Sequence, residues 1–271
     1  MPTVKRVRQS EPTRESGRVR IVKLTAANFA EFRHFCCRSP KYLAYYNRKS
    51  AWLLERFDEG LEYRLLQVDG ATAGFLETIP GEKAWRGVSA PGYLFIHCFW
   101  ILGRNKGKGY GTKLLNACLR DARASGYVGV AVLTSYEHWL PNKRIFERMG
   151  FEQVDSAPPA FELYTKRFSR DAQPARIQTG WKKAGALPKG LTLLESDQCP
   201  YIHVTAESLS GIGQELGVPV HVIRIETARQ AQQAVCPYGV TGVYFDGQLV
   251  SYHPIGRKDL LAAVKALQEK A

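Results

Sequence analysis

Apolar and polar positions alternate in short runs along the first third of the chain. Val19–Lys23, Tyr63–Val68 and Thr72–Ile79 read as strands, and Asp69-Gly70 between the last two predicts a hairpin turn. Between them, Thr25 is placed to cap a helix running through Cys37, and Lys41–Phe57 holds a second helix with Trp52, Leu53 and Leu54 apolar. Tyr93–Leu102 is the longest apolar run. It has the length of a buried strand and contains His97. The period then changes: Leu114, Leu115, Cys118, Leu119 and Ala122 share one face, and Lys113, Asn116, Arg120 and Arg123 the other, which predicts a helix over Tyr110–Ser125. Val128–Thr134 is a strand. Pro141–Met149 is a helix with proline in its first turn and Gly150 after its end. Phe151–Val154 and Phe161–Lys166 are strands. After a Pro/Gly-bearing stretch the pattern restarts: strand Leu191–Glu195, helix to Leu216, strand Val218–Ile225, helix Thr227–Ala234, a hairpin around Asp246-Gly247, and helix Lys258–Lys270.

No run approaches the ~18 apolar residues of a membrane span. With 271 residues, 45% hydrophobic and 23% charged, the chain suits a globular protein of two domains rather than a disordered one. The net charge of +13 is uneven. Leu191 onward carries −2, so the first 190 residues carry +15, and 166–190 alone carry +6. This shift supports a domain boundary there. Such a balance suits an anionic ligand, a membrane surface or nucleic acid. No RNA-binding signature or aromatic-interleaved basic repeat accompanies it, so nucleic acid is not favoured. Met1–Arg20 has no apolar segment, which points to the cytoplasm. In a chain this long without an export signal the six cysteines are expected as reduced thiols, and with no CxxC pair among them no metal site is expected.

The segment Lys106-Gly107-Lys108-Gly109-Tyr110-Gly111-Thr112 lies between a buried strand and an amphipathic helix. Glycines allow close approach of backbone to ligand, and a helix N-terminus offers N–H groups to a pyrophosphate. It is neither a Walker loop nor a Rossmann fingerprint. Read as Lys106-x-x-Gly109-x-Gly111, it resembles the acetyl-CoA loop of the GNAT superfamily of N-acetyltransferases, with Lys replacing the usual Arg or Gln. Arg104-x-x-Gly107-x-Gly109 matches literally, but the helix start at Thr112 favours the later register. The strand–loop–helix–strand–helix order and the closing Gly150-Phe151 extend the resemblance over Val19–Phe168. Gly92–Trp100 and the segment after Leu191 further resemble the YoaP-like acetyltransferases, in which a thioredoxin-like domain follows.

The resemblance implies acetyl-CoA as co-substrate. Backbone groups of Phe99, Trp100 and Ile101 would hold the pantetheine arm, and Lys106, Lys108, Gly109, Tyr110, Gly111 and Thr112 the pyrophosphate. Phe146 stands where many members place an acidic Tyr, and Trp139 where they place an Asn. Candidate acid–base groups are therefore His97, whose unperturbed pKa of about 6.5 suits proton acceptance, and Tyr136, Glu137 and His138 after the next strand. His97 is equally readable as a hydrogen-bonded core residue. Strand parity puts Cys98 on the opposite face from His97. Acceptor-pocket walls are expected from Phe29–Phe57 and Pro80–Pro91, with Tyr42, Tyr45 and Tyr46 as candidates.

Cys199-Pro200-Tyr201-Ile202 resembles the glutaredoxin site with its second cysteine missing, and a thiol near a helix N-terminus has a lowered pKa. Cys236-Pro237-Tyr238 falls near where such folds carry a cis-Pro loop. His203, one turn on, is placed either to tune the thiol or to stand as a solvated helix residue. The segment reads as a redox or thiol site (Cys199, Cys236), a substrate-handling module, or a structural one.

The expected architecture is α/β: a disordered basic tail (1–18), a GNAT domain with a mixed, splayed sheet (19–168), a connector (169–190) and a thioredoxin-like domain (191–271). The expected activity is direct acetyl transfer to a small-molecule or peptide amine. The alternative is a redox or thiol-binding protein using Cys199 whose first domain only binds acetyl-CoA.

Overall fold

The computed structural model describes residues 18–36, 39–137, 139–169 and 171–269. The chain runs β1 (Val19–Leu24), α1 (Phe29–Phe32), α2 (Leu43–Phe57), β2 (Glu62–Val68), β3 (Ala71–Pro80), β4 (Val88–Ser89), β5 (Tyr93–Ile101) and α3 (Tyr110–Ala124). It continues β6 (Gly129–Ser135), α4 (Lys143–Arg148), β7 (Glu152–Ala157), β8 (Phe161–Arg167) and β9 (Arg176–Ile177). The last part is β10 (Leu191–Glu195), α5 (Ile202–Leu216), β11 (Val220–Arg224), α6 (Ala228–Gln233), β12 (Gly242–Phe245), β13 (Gln248–Ser251) and α7 (Arg257–Gln268).

Seven strands form one mixed sheet in the order β1-β2-β3-β5-β6-β8-β7. Only β5 and β6 run parallel, with α3 crossing between them. The apolar face of α3 buries Leu114, Leu115, Cys118 and Ala122 against Leu76, Leu94 and Val132 of the sheet. The Asp69-Gly70 turn has both residues at positive φ (50° and 77°), as a two-residue hairpin requires.

The second unit has four strands in the order β11-β10-β12-β13. β10 and β11 are parallel, β12 and β13 antiparallel to their neighbours. Its own core of Leu191, Leu193, Leu209, Ile212, Val243 and Leu260 lies between this sheet and α5 and α7.

The two units share a core. Leu194, Ile202, Tyr238, Tyr244 and Tyr252 belong to the same apolar cluster as Trp52, Trp85, Phe95 and Phe161. The stretch 169–190 is more structured than a plain connector. β9 pairs with β4, and a 3-10 helix spans Thr179–Ala186.

Two local expectations change. The helix expected from Thr25 to Cys37 is one turn, Phe29–Phe32: Asn28, not Thr25, precedes it, and Arg33 leaves it at φ 53°. In α4, Asn142 accepts from the Arg144 N–H, so the helix starts after Asn142 and Pro141 stays outside.

Candidate functional site

The strand pairing makes an opening. β5 pairs with β6 from Tyr93↔Gly129 to Ile96↔Val132 and no further. Beyond Ile96, β5 is held by β3 alone, through Leu76↔Phe99, Phe75↔Trp100 and Gly74↔Ile101. One backbone flank of Phe99–Ile101 therefore faces the gap.

The glycine loop follows. Gly107 and Gly109 have φ of 75° and 77°, and a side chain at either would point into open space. Gly109 precedes α3, whose first turn has no side-chain cap, leaving its N–H groups for a ligand. Gly111 is packed closely: a Cβ there would lie 2.9 Å from Ile145 Cδ1 and 3.0 Å from Phe99 Cζ. Gly109 as the residue before the helix, with Gly111 in its first turn, fits the later register of the motif. Lys106 Nζ lies 4.9 Å from the centre of the half-exposed Trp100 ring.

A cavity of about 500 Å³ opens beside the gap. Its walls come from β5 and its end (His97, Cys98, Trp100, Leu102), from β3 (Phe75) and from the segment after α1 (Phe35, Cys36). Trp139, Leu140 and Pro141 come from after β6, and Cys199, Tyr201 and Tyr238 from the second unit. The size is that of a small-molecule site. Tyr42, Tyr45 and Tyr46 are not in its lining. Tyr45 packs on His203 (5.1 Å between ring centres) and Tyr46 stacks on His34 (4.0 Å). Of the Pro80–Pro91 loop, Trp85 and Arg86 stand buried behind the wall.

That wall is fixed by a buried polar hub. Glu77 accepts from Lys49 Nζ (2.7 Å), His97 Nδ1 (3.2 Å) and Gln198 Nε2 (2.9 Å). Gln198 belongs to the second unit, so this carboxylate joins both. Burial alone would push the Glu77 carboxyl up, but Lys49 first and His97 next hold it well below the usual carboxylate range. His97 Nε2 accepts the Trp85 N–H at 2.9 Å, so its proton sits on Nδ1, facing Glu77. Burial lowers its pKa to about 4 against the pull of Glu77. Both ring nitrogens are thus engaged, which leaves no free lone pair for the base role expected of His97. The ring keeps the core reading.

The expectation that Cys98 faces away from His97 is also corrected. Glu77 pairs with Cys98 and Thr78 with Ile96, so His97 is the extra residue of a β-bulge. The bulge resets the parity and turns both His97 and Cys98 to the cavity.

The other expected acid–base residues lie elsewhere. Tyr136 is 66% exposed, and its hydroxyl donates to Pro159 O at 2.6 Å. The Glu137 carboxylate accepts the Tyr252 hydroxyl at 2.9 Å, and that hydroxyl is 2.7 Å from Ser135 Oγ. Neither Tyr136 nor Glu137 is in the cavity lining. His138 lies outside the described residues. Phe146, at the usual Tyr position, is fully buried between Phe99 and Phe151.

Cys199 and Cys236 do not show reactive-thiol character. Burial pushes both thiols up to about 12, overriding the helix N-terminus beside Cys199. The peptide before Pro237 is trans; among the described residues the cis bond joins Pro158 and Pro159. His203 is turned toward Glu195 (2.7 Å) and Asp197 (3.1 Å). Tyr201 and Tyr238 place two hydroxyl-bearing rings in the lining, and in the sequence they stand out only as neighbours of cysteines. Their Cys-Pro-Tyr context was the available signal.

Comparisons with known proteins identify the family. The profile described as Acetyltransferase (GNAT) family matches residues 28–151, and the one described as YoaP-like matches 219–261. An uncharacterized N-acetyltransferase, YoaP, of Bacillus subtilis (strain 168) is 30% identical over 235 residues, covering 85% of this chain and 92% of its own length. Among solved structures, the PaiA N-acetyltransferase of Thermoplasma acidophilum in complex with coenzyme A is 14% identical, with a TM-score of 0.41. It covers 56% of this chain and 99% of its own. A GNAT-family acetyltransferase of Brucella melitensis in complex with acetyl-CoA is 18% identical, with a TM-score of 0.39. It covers 58% of this chain and 92% of its own. By its matched profiles and its match along most of the Bacillus relative, the chain belongs to the GNAT family of N-acetyltransferases, in the YoaP-like branch.

Proposed function

We propose that the chain transfers an acetyl group from acetyl-CoA directly to the nitrogen of a small-molecule or peptide amine, inside the cavity that its second unit closes. Acetyl-CoA is the co-substrate of this family. One observation supports the placement above the rest: β5 and β6 part after Ile96, and the gap stands between the uncapped start of α3 and the cavity. In this reading the N–H groups at Gly109–Thr112 hold the pyrophosphate, with Lys106 and Lys108 adding charge. The free backbone flank of Phe99, Trp100 and Ile101 holds the pantetheine arm.

The amine lone pair attacks the thioester carbon, the C–N bond forms and the C–S bond breaks. One proton leaves the nitrogen and one is gained by the sulfur. Phe146 cannot supply it. The hydroxyls of the lining, Tyr201 and Tyr238, both come from the second unit, and burial keeps that of Tyr238 protonated. We assign proton return to Tyr201, the more exposed of the two. Tyr136, bonded to Pro159 within the first unit, and Glu137, which holds Tyr252 of the second, are then loop residues rather than participants. The second unit, read as thioredoxin-like from its strand order, serves as a wall of the acceptor site. The redox alternative is not favoured, because both of its thiols are held protonated.

The test is product formation from acetyl-CoA and an amine panel, followed by mass, with the full chain and with Tyr201→Phe. The reading expects an acetylated amine from the wild type. It expects kcat to fall about a hundredfold or more in the variant, the lower end of the ~10²–10⁴-fold range of general acid–base catalysis. An unchanged kcat would remove Tyr201 from the reaction.

A further inference from the structure

The cavity differs from an ammonium-binding site in two ways. Among the described residues its lining holds no carboxylate. Glu77, behind the wall, is bonded to Lys49, His97 and Gln198, and Glu137, in the loop after β6, to Tyr252. The charge behind the wall also has the wrong sign for a cation. Arg86 is 1% exposed and donates to the carbonyls of Trp85 and His97, both at 2.6 Å. Its guanidinium lies 4.5 Å from the centre of the Tyr238 ring, a cavity wall. It makes no ion pair with a described carboxylate, and its Nε has no partner. The lining itself is aromatic: Phe35, Phe75, Trp100, Trp139, Tyr201 and Tyr238.

We propose that the acceptor is a weakly basic aromatic amine, an arylamine or heteroarylamine whose nitrogen is neutral at neutral pH, rather than an alkylamine or a peptide amine. This rests on the acetyl-transfer reading above. An alkylamine arrives as an ammonium ion, which this cavity penalises twice, by desolvation and by the uncompensated Arg86. An arylamine arrives with its lone pair free and its ring suited to aromatic walls. It also needs no general base to take a proton before attack, consistent with His97 having both nitrogens engaged. The nitrogen loses its proton only after the C–N bond has formed, to the Tyr201 oxygen that has given its own proton to the departing thiolate.

The isomers 4-methylaniline and benzylamine separate these cases, because they differ in whether nitrogen is on the ring. Acetyl-CoA binding to the full chain is first confirmed by calorimetry, and kcat/KM for each isomer is then followed by product mass. The proposal expects 4-methylaniline to be favoured at least about tenfold near pH 7, with a flat pH profile, while benzylamine gains about tenfold per pH unit as its ammonium deprotonates. Leu140→Asp, which puts a carboxylate on the wall, should shift the ratio toward benzylamine by about threefold or more while keeping acetyl-CoA affinity. Equal or faster turnover of benzylamine, or of a tetrapeptide amine, would overturn the proposal and leave acetyl transfer standing. So would acetyl-CoA binding without acetylation of 4-methylaniline, or a ratio unmoved by Leu140→Asp. Absence of acetyl-CoA binding would overturn both.

Discussion

Glu77→Gln is the sharpest perturbation of the wall between the two units. Glu77 and Lys49 are each 1% exposed and 2.7 Å apart. Every group facing the carboxylate is a donor: Lys49 at Oε2, and His97 and Gln198 at Oε1. His97 cannot switch its proton to relieve this, because Nε2 is held as acceptor by the Trp85 N–H. A glutamine must therefore turn its amide N–H₂ toward a donor, whichever way it is flipped. It also leaves the Lys49 charge without its counter-ion, with the Trp52 ring at 4.2 Å as the remaining partner. Removing one member of a buried pair costs about 3–5 kcal/mol. Equilibrium urea denaturation, read as a midpoint shift at constant slope, measures it. The double variant Lys49→Met, Glu77→Leu removes both charges and should cost less than the sum of its single changes, since neither is left unpaired. A cost below about 1 kcal/mol for Glu77→Gln would refute the reasoning, since surface-like ion pairs give that value. So would strict additivity in the double variant.

Two further outcomes are expected. Gly111→Val drives a side chain into Ile145 and Phe99 and should destabilise by about 1–3 kcal/mol in the same titration, whereas a loss under ~0.5 kcal/mol would mean that α3 packs more loosely than its 2.9 Å approach implies. At His203, burial lowers the pKa, but Asp197 and Glu195 outweigh it and the net shift is upward. Its ion pairs therefore contribute fully below about pH 6.5 and are lost as pH rises through the raised value. The wild type should lose stability over that window, and His203→Ala should not; parallel pH profiles would show that the pairing does not contribute.

The hairpin, α3, the glycine loop and the order of the second unit were legible because each is written locally. Asp69-Gly70 supplies the turn, and the five apolar positions from Leu114 to Ala122 supply the helix face. What escaped was set at a distance. Nothing in Ile96-His97-Cys98 signals a bulge, which arises from the pairing of β5 with β3. Lys49 and Glu77 are 28 positions apart, and Glu77 and Gln198 are 121 apart, so no local period connects them. A place near a helix start predicts a lowered pKa for the Cys199 thiol, but the shared core of the two units buries it, and burial is the larger effect.

The central claim, that acetyl-CoA is held at the start of α3, is tested most directly by calorimetric titration of acetyl-CoA into the full chain and into Gly109→Glu. The added side chain projects into open space where the pyrophosphate is placed and carries negative charge, while the left-handed backbone costs a non-glycine residue about 1–2 kcal/mol. The account predicts micromolar binding by the wild type and none by the variant, with the variant still folded by circular dichroism. Equal binding by both, or none by the folded wild type, would contradict it.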